Sequence, residues 1–326
     1  MKKVAIGIDI GGTNSAIGVV DESGNVLVKD SIDTPGHGNI QLYIDDLASA
    51  IKKQVANVKL LNESIEVIGI GIGAPNANYY KGTIEHAPNL SFKGIIPFAD
   101  MLKNKLPEYS TIALTNDANA AALGEMIYGG AKGMKNFVMF TLGTGVGSGI
   151  VVNGDLLYGN DGFAGECGHM ILVPNGRHCG CGGRGHLEAY CSAPGMKRTA
   201  FELLVLYNDT TSLLANKSFN ELDSKMIYDA AVAGDKVANE VFEITGKYLG
   251  QGIADTVHHL SPEAIFLFGG PTAAGELIFA PTHKSLEDHL MPVFKNKIKI
   301  LPSKLNLGDA AIVGASALAW KEYEKQ

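Results

Sequence analysis

The chain contains no run of roughly 20 unbroken apolar residues, the length a membrane-spanning helix needs. Its longest apolar stretch, Phe137 to Val152, is interrupted by Gly143, Gly145, Gly147 and Gly149. It also lacks an excess of positive charge. Lys and Arg number 27 against 34 Asp and Glu, a formal net charge of −7, so neither nucleic acid nor an anionic membrane is an expected partner. Phosphate ligands stay open, because backbone N–H groups hold phosphate without help from lysine. No G-x-x-x-x-G-K-[ST] string occurs, which excludes a P-loop nucleotide site. Low-complexity tracts and long charged tails are missing too. Cysteine is scarce: the 4 residues Cys167, Cys179, Cys181 and Cys191 crowd one short region, which suits a metal site better than a disulfide scaffold.

The N-terminus, Met1-Lys2-Lys3 and then Val4 to Ile10, briefly imitates a signal peptide. Asp9 and Gly11-Gly12 break the apolar run early, and no small-residue cleavage site follows. A cytoplasmic protein is therefore expected. A chain of 326 residues exceeds one average domain, so two domains are the starting expectation. With 46% hydrophobic and 19% charged residues, it can bury a large core.

Val4, Ile6, Ile8 and Ile10 alternate with Ala5, Gly7 and Asp9, the period of a strand. Gly11-Gly12-Thr13-Asn14 turns the chain, Ala16 to Val20 reads as a second strand, and Asp21 to Gly24 as a hairpin tip before Val26 to Lys29. The same grammar returns at Phe137 to Leu142, the turn Gly143 to Gly147, the strand Ser148 to Val152, and the tip Asn153-Gly154-Asp155. Two such units in one chain suggest two α/β domains of related design. Between them lie a helix-like stretch (Ile40 to Val58), a strand (Ile65 to Ile72), a loop (Pro75 to Pro88), a strand (Thr111 to Leu114) and a helix (Ala118 to Tyr128). Helical patterns dominate Gly195 to His259. A strand follows at Ala264 to Phe268, and a final helix from about Ala310 to Lys325 is expected to be capped by Asp309. This alternation indicates α/β layers.

Glycines after a strand let the backbone approach a phosphate closely, and Thr13, Asn14 and Thr144 add side-chain donors. Asp9, a carboxylate in an apolar strand beside such a turn, is placed to hold Mg²⁺ through water, or is simply a turn former. Two such loops favour the functional reading. Gly69 to Ala74 matches a loose dinucleotide pattern, but Pro75-Asn76 follows where a helix should open, so the match is set aside.

Asn116-Asp117 stands where a strand meets an alanine-rich helix. An Asp here is most often an N-cap. The alternative is a carboxylate kept ionised by the helix terminus and set to take a proton from a substrate hydroxyl. Gly165-Glu166-Cys167-Gly168-His169, with Glu188 beyond, is either an ordinary surface loop or a set of groups that grip vicinal hydroxyls. Cys179-Gly180-Cys181, followed by His186, offers two thiolates and an imidazole for tetrahedral Zn²⁺. His169 is the best fourth ligand, with Cys167, His178 and Cys191 as alternatives. A Cys179–Cys181 disulfide would be strained. Four protein ligands would make the zinc structural.

Taken together, Asp9 to Asn14, Leu114 to Ala121, Leu142 to Gly147 and Gly165 to His169 resemble, in order and spacing, the ROK family of sugar kinases and repressors. The cysteine loop and Phe268-Gly269-Gly270 fall where that family has its zinc loop and adenosine-side glycines. The resemblance covers essentially the whole chain. It implies a two-domain actin-like, ribonuclease-H-like α/β fold with an interdomain cleft: a small domain of residues 1–115 plus the C-terminal helix 310–326, and a large domain of residues 116–309 with the zinc loop. It implies ATP-dependent phosphorylation of a hexose at the 6-hydroxyl, with Mg²⁺ and ATP, structural Zn²⁺ and a homodimer. Asp117 matches the catalytic base. Asn89, Asn116, Glu166, His169 and Glu188 match the sugar residues. Asp9 matches the residue near Mg²⁺, and Gly11, Gly12, Thr13, Asn14, Thr144, Gly145, Gly269 and Gly270 match the ATP loops. His169, Cys179, Cys181 and His186 match the zinc ligands.

Two positions depart from the family's pattern. His186 stands where a third cysteine is usual, which implies a Cys₂His₂ site. Asn76 stands where many members have glycine, at the sugar-side loop. Glucose is the expected sugar, with N-acetylhexosamines or fructose as alternatives, since a few pocket contacts separate them. A repressor is not expected, because the phosphate loop begins at Asp9 with no helix-turn-helix ahead of it. A sugar sensor without catalysis is disfavoured by the presence of Asp117 and both loops.

Overall fold

The computed structural model describes residues 1–34, 38–60, 64–208 and 210–325. They form two compact units: Met1–Met134 with Gly149–Ala164 and Lys304–Gln326, and Lys135–Ser148 with Gly165–Ser303.

In chain order unit 1 contains β1 (Lys2–Ile10), β2 (Asn14–Asp21), β3 (Val26–Asp33), α1 (Ile40–Leu60), β4 (Ile65–Gly73), β5 (Ala77–Asn78), β6 (Thr83–Glu85), β7 (Ile95–Ile96), α2 (Phe98–Lys105), β8 (Ile112–Thr115) and α3 (Asp117–Ile127). The main sheet has the order β3-β2-β1-β4-β8. β1 and β2 form an antiparallel hairpin with Ile10 opposite Ser15, whereas β1, β4 and β8 are mutually parallel. Both faces are covered, as the alternation requires. Val4, Ile6, Ile8 and Ile10 pack with Tyr43, Ile44, Leu47 and Ile51 of α1 in one buried cluster.

Unit 2 contains β9 (Phe137–Leu142), the first residues of β10 (Val146–Val152), α4 (Glu188–Cys191), α5 (Ala193–Tyr207), α6 (Ser224–Val232), α7 (Lys236–Leu260), β12 (Ala264–Phe268), α8 (Glu276–His289) and β13 (Lys299–Pro302); the rest of β10 and β11 (Asp155–Leu156) belong to unit 1. β9, β12 and β13 are parallel, in the order β10-β9-β12-β13. That order repeats β2-β1-β4-β8, so the recurring strand–turn–strand grammar is a repeated sheet design. Met196, Leu203, Ile227, Val241, Phe242 and Ile278 join α5, α6, α7 and α8 in a separate core.

The last helix, α9 (Ala310–Tyr323), belongs to unit 1. It lies on the second face of the main sheet at backbone distance. A Cβ on Gly7 would come within 2.0 Å of the Ile312 carbonyl oxygen, and one on Gly71 within 1.9 Å of that of Ala315. Ala5, Ile68 and Ala319 complete that face. Its expected cap is not formed. Asp309 occupies the N-cap position without accepting a helix amide, because its carboxylate is taken by Lys29 Nζ at 2.7 Å.

Two further differences have local causes. The stretch read as a loop from Pro75 to Pro88 holds β5 and β6, which join β7 in a small antiparallel sheet. Strands of two or three residues are too short to show alternation. α8 carries Pro281 inside it, a residue that ordinarily breaks a helical pattern. Among the described residues no helix is long and apolar enough to cross a membrane.

Candidate functional site

In unit 1, Asp9 stands opposite Gly73, and Gly73 opposite Thr115, at the carboxyl ends of three parallel strands. Open α/β sheets place ligands at such ends. Gly73 keeps the space open: a Cβ there would lie 3.7 Å from Asp117 Cα and 3.8 Å from Asp9 Oδ1. Desolvation, reinforced by the charge of Asp117, pushes the Asp9 carboxyl up to about 6. The Asp117 carboxyl is raised as well, by desolvation, with the amides of Ala118 and Asp117 pulling against it. Asp117 as a residue is open to solvent. Two carboxylates that resist ionisation side by side suit a cation held by oxygen, and Mg²⁺ fits Asp9 through water.

The cap reading of Asp117 resolves in favour of its neighbour. Asn116 is the N-cap of α3, and its Oδ1 accepts the Ala118 amide at 2.9 Å. Asp117 is the first helical residue, and its Oδ1 also accepts that amide, at 2.8 Å. Capping does not depend on Asp117, and the Asn116 side-chain NH₂ remains as a donor.

The Gly11–Asn14 turn is closed by the Gly11 amide on the Asn14 carbonyl at 3.0 Å. A Cβ on Gly12 would lie 2.7 Å from the Asn89 carbonyl oxygen, so Asn89 is brought directly against the turn. Asn76 adopts φ 51°, the left-handed region where glycine is usual. It fixes its loop by donating to the Glu85 carbonyl at 3.1 Å, so asparagine keeps the turn that glycine would make.

In unit 2, Gly143, Thr144 and Gly145 form a tight turn, with the Gly143 amide on the Gly145 carbonyl at 3.0 Å. Glu188 lies beneath it: Oε2 accepts the Val146 amide at 3.1 Å. The 166–169 segment docks on the same strand, where Ser148 Oγ accepts the Cys167 amide at 3.1 Å and donates to the Gly165 carbonyl. His169 Nε2 is 3.8 Å from the Glu166 carboxylate. Gly269 takes φ 109° at the end of β12 and Gly270 opens a short 3₁₀ turn.

His169, Cys179, Cys181 and His186 converge, their ligand atoms all within 4.8 Å of one another. Cys181 Sγ is 3.2 Å from His186 Nδ1, and Cys179 Sγ is 3.8 Å from His169 Nδ1. Bonds of about 2.0–2.3 Å from a central zinc span donor separations close to these, so this N₂S₂ set fits the ion. All four cysteines are free thiols. In the absence of a cation, burial pushes the Cys179 thiol up to about 12, with Glu188 adding to the rise.

Sequence reasoning missed the support beneath the first turn. Ser15 Oγ is 2.8 Å from Thr34 Oγ1 and 2.6 Å from the Tyr43 hydroxyl, all three fully buried. The Thr34 amide also reaches the Thr13 carbonyl at 3.1 Å. It also missed that Glu188 holds the second turn. Ser15 follows the turn directly and carried a signal; a partner 42 residues along the chain carried none.

Two glycine turns on a repeated sheet, a carboxylate at the strand ends and an N₂S₂ cluster define a chain of one class: residues 5–322 match the ROK family, and the chain belongs to it. It is 33% identical over 314 residues to a glucokinase from Thermotoga maritima, covering 96% of each chain. It is 34% identical over 317 residues to a glucokinase from Halalkalibacterium halodurans, covering 96% of this chain and 94% of that one. The crystal structure of a ROK family glucokinase from Streptomyces griseus in complex with glucose and AMPPNP matches with a TM-score of 0.79 at 33% identity, covering 98% and 99%. The fold is thus the expected two-domain, actin-like α/β architecture.

Proposed function

We propose that the chain is an ATP-dependent hexose kinase that phosphorylates the 6-hydroxyl of glucose. The observation that carries this reading is Asp117: a raised carboxyl beside Asp9, at the end of β8, that α3 does not need as its cap. Full-length likeness to glucokinases supports it.

Asp117 accepts the proton of the sugar 6-hydroxyl as that oxygen bonds to the γ-phosphorus. The bond from the γ-phosphorus to the β,γ-bridging oxygen breaks, and ADP leaves with its electron pair. A carboxyl raised above its ordinary range is the stronger base for this task. Asn116, Asn89, Glu166, His169 and Glu188 orient the sugar hydroxyls. The turns Gly11–Asn14 and Thr144-Gly145 hold the phosphates, and Gly269-Gly270 flank the nucleoside. Asp9 holds Mg²⁺ through water; when bound, the ion neutralises phosphate charge. His169, Cys179, Cys181 and His186 hold a structural zinc that fixes the 166–186 region. The same reading includes a cytoplasmic location and a homodimer. Val205, Leu206 and Leu213 are each exposed, and light scattering on purified protein checks the oligomeric state.

The test is a coupled assay with Mg·ATP and glucose, N-acetylglucosamine, N-acetylmannosamine, mannose and fructose, with polyphosphate replacing ATP as a control. The highest kcat/KM on glucose is expected. A higher value on another hexose replaces glucose as the substrate. Silence on every sugar, with sugar binding intact, moves the chain to the sensor class.

A further inference from the structure

Glu188 is expected to grip the sugar, yet its carboxylate is engaged elsewhere in unit 2. Oε2 accepts the Val146 amide at 3.1 Å. A Cβ on Gly145 would lie 2.5 Å from that same oxygen, so the carboxylate fills the underside of the Gly143–Gly145 turn. Oε1 receives the Cys179 thiol at 3.2 Å, at the edge of the His/Cys cluster. Glu188 is the first residue of α4, and Ala193, the first residue of α5, donates its amide to the Gly143 carbonyl at 2.8 Å. The α4–α5 segment therefore clasps the turn at both ends, Glu188 on Val146 and Ala193 on Gly143.

A negative charge beneath a turn that receives phosphate works against phosphate binding by Coulomb repulsion. Its presence there needs a compensating role, and the geometry supplies one. The carboxylate oxygen satisfies the Val146 amide, and the missing Cβ of Gly145 leaves room for it. A carboxylate also has lone pairs left over for a sugar hydroxyl after accepting one amide.

We propose that Glu188 is a positioning residue for the nucleotide turn, so that one carboxylate serves both substrates; this rests on the kinase reading above. Its role on the turn is to accept the Val146 amide, a task an amide oxygen also performs, whereas its role on the sugar uses the charge.

The experiment is calorimetric binding of Mg·AMPPNP without sugar, and of glucose without nucleotide, to wild type, Glu188→Gln, Glu188→Ala and Gly145→Ala. Glu188→Ala raises the AMPPNP Kd about tenfold, through one lost hydrogen bond to a charged group, and weakens glucose. Glu188→Gln weakens glucose but keeps AMPPNP within about twofold, because its side-chain oxygen still accepts the amide. Gly145→Ala displaces the carboxylate and weakens both ligands from the nucleotide side, and it decides the matter if Glu188→Ala does not fold. An unchanged AMPPNP Kd in Glu188→Ala and Gly145→Ala, with glucose weakened, overturns the proposal and leaves Glu188 a sugar residue only. Equal losses of AMPPNP in Glu188→Gln and Glu188→Ala also overturn it. Wild type that binds glucose but no nucleotide breaks the kinase reading instead.

Discussion

The two glycine turns share a strand order and differ in what holds them. Gly11–Asn14 rests on a buried chain of neutral hydroxyls, Tyr43 to Ser15 to Thr34. Gly143–Gly145 rests on a carboxylate whose other oxygen meets a cysteine of the N₂S₂ cluster. A neutral network is insensitive to bound ions. A charged support beside a metal site is not. On the proposed reading, the repeated sheet carries one phosphate turn held by neutral hydroxyls and one whose geometry answers to metal occupancy.

The sharpest way to break this contrast is to remove the metal. The zinc reading predicts about one zinc per chain by elemental analysis. After chelation, amide exchange should speed about tenfold or more at residues 143–146 and 166–186 and stay unchanged at residues 11–15. Equal loosening of both turns, or none, removes the asymmetry.

The next effect comes from pH. Desolvation holds the Asp9 carboxyl up to about 6, so on the proposed Mg²⁺ reading it takes up a proton below that value and releases the cation. Mg·ATP affinity should fall about tenfold between pH 7 and pH 5, an acid limb that Asp9→Asn abolishes. The sign for stability is opposite. A carboxyl held above its ordinary value penalises the fold when ionised, fully above about 6 and not at all below its unfolded value. Asp9→Asn should therefore raise the melting temperature at pH 8, and the gain should shrink as pH falls through 6. A gain that grows on acidification contradicts the assignment.

The smallest effect is on the neutral side. Tyr43→Phe removes the hydroxyl that Ser15 meets at 2.6 Å and should cost about 1–2 kcal/mol of stability in denaturant unfolding, with AMPPNP affinity lowered only severalfold. A loss confined to nucleotide binding at unchanged stability would place Tyr43 in the site instead.

Much of this was legible in advance, for physical reasons. Period-two alternation exposed β1, the return of the same strand–turn–strand grammar exposed β9, and glycine after a strand exposed both turns. Cysteine and histidine spacing exposed the cluster, including His169 from a different segment. What stayed hidden depends on partners distant in sequence. Asp309 looked like a cap until Lys29, 280 residues away, took its carboxylate. Asp117 looked like a cap until Asn116 filled that position. Glu188 gave no sign of the Val146 amide, and the two- and three-residue strands after Asn76 are too short for any periodicity. Local periodicity is written in neighbouring residues, whereas the destination of a hydrogen bond is settled by the fold.

The most direct test of the central claim is Asp117→Asn, measured for glucose binding by calorimetry and for kcat with Mg·ATP. The account predicts glucose binding within a few-fold of wild type and a kcat lower by about 10²–10⁴, because the general base is gone while the sugar contacts remain. A variant that turns over glucose at the wild-type rate would show that Asp117 does not take the proton, and the chemistry would have to be assigned to another group.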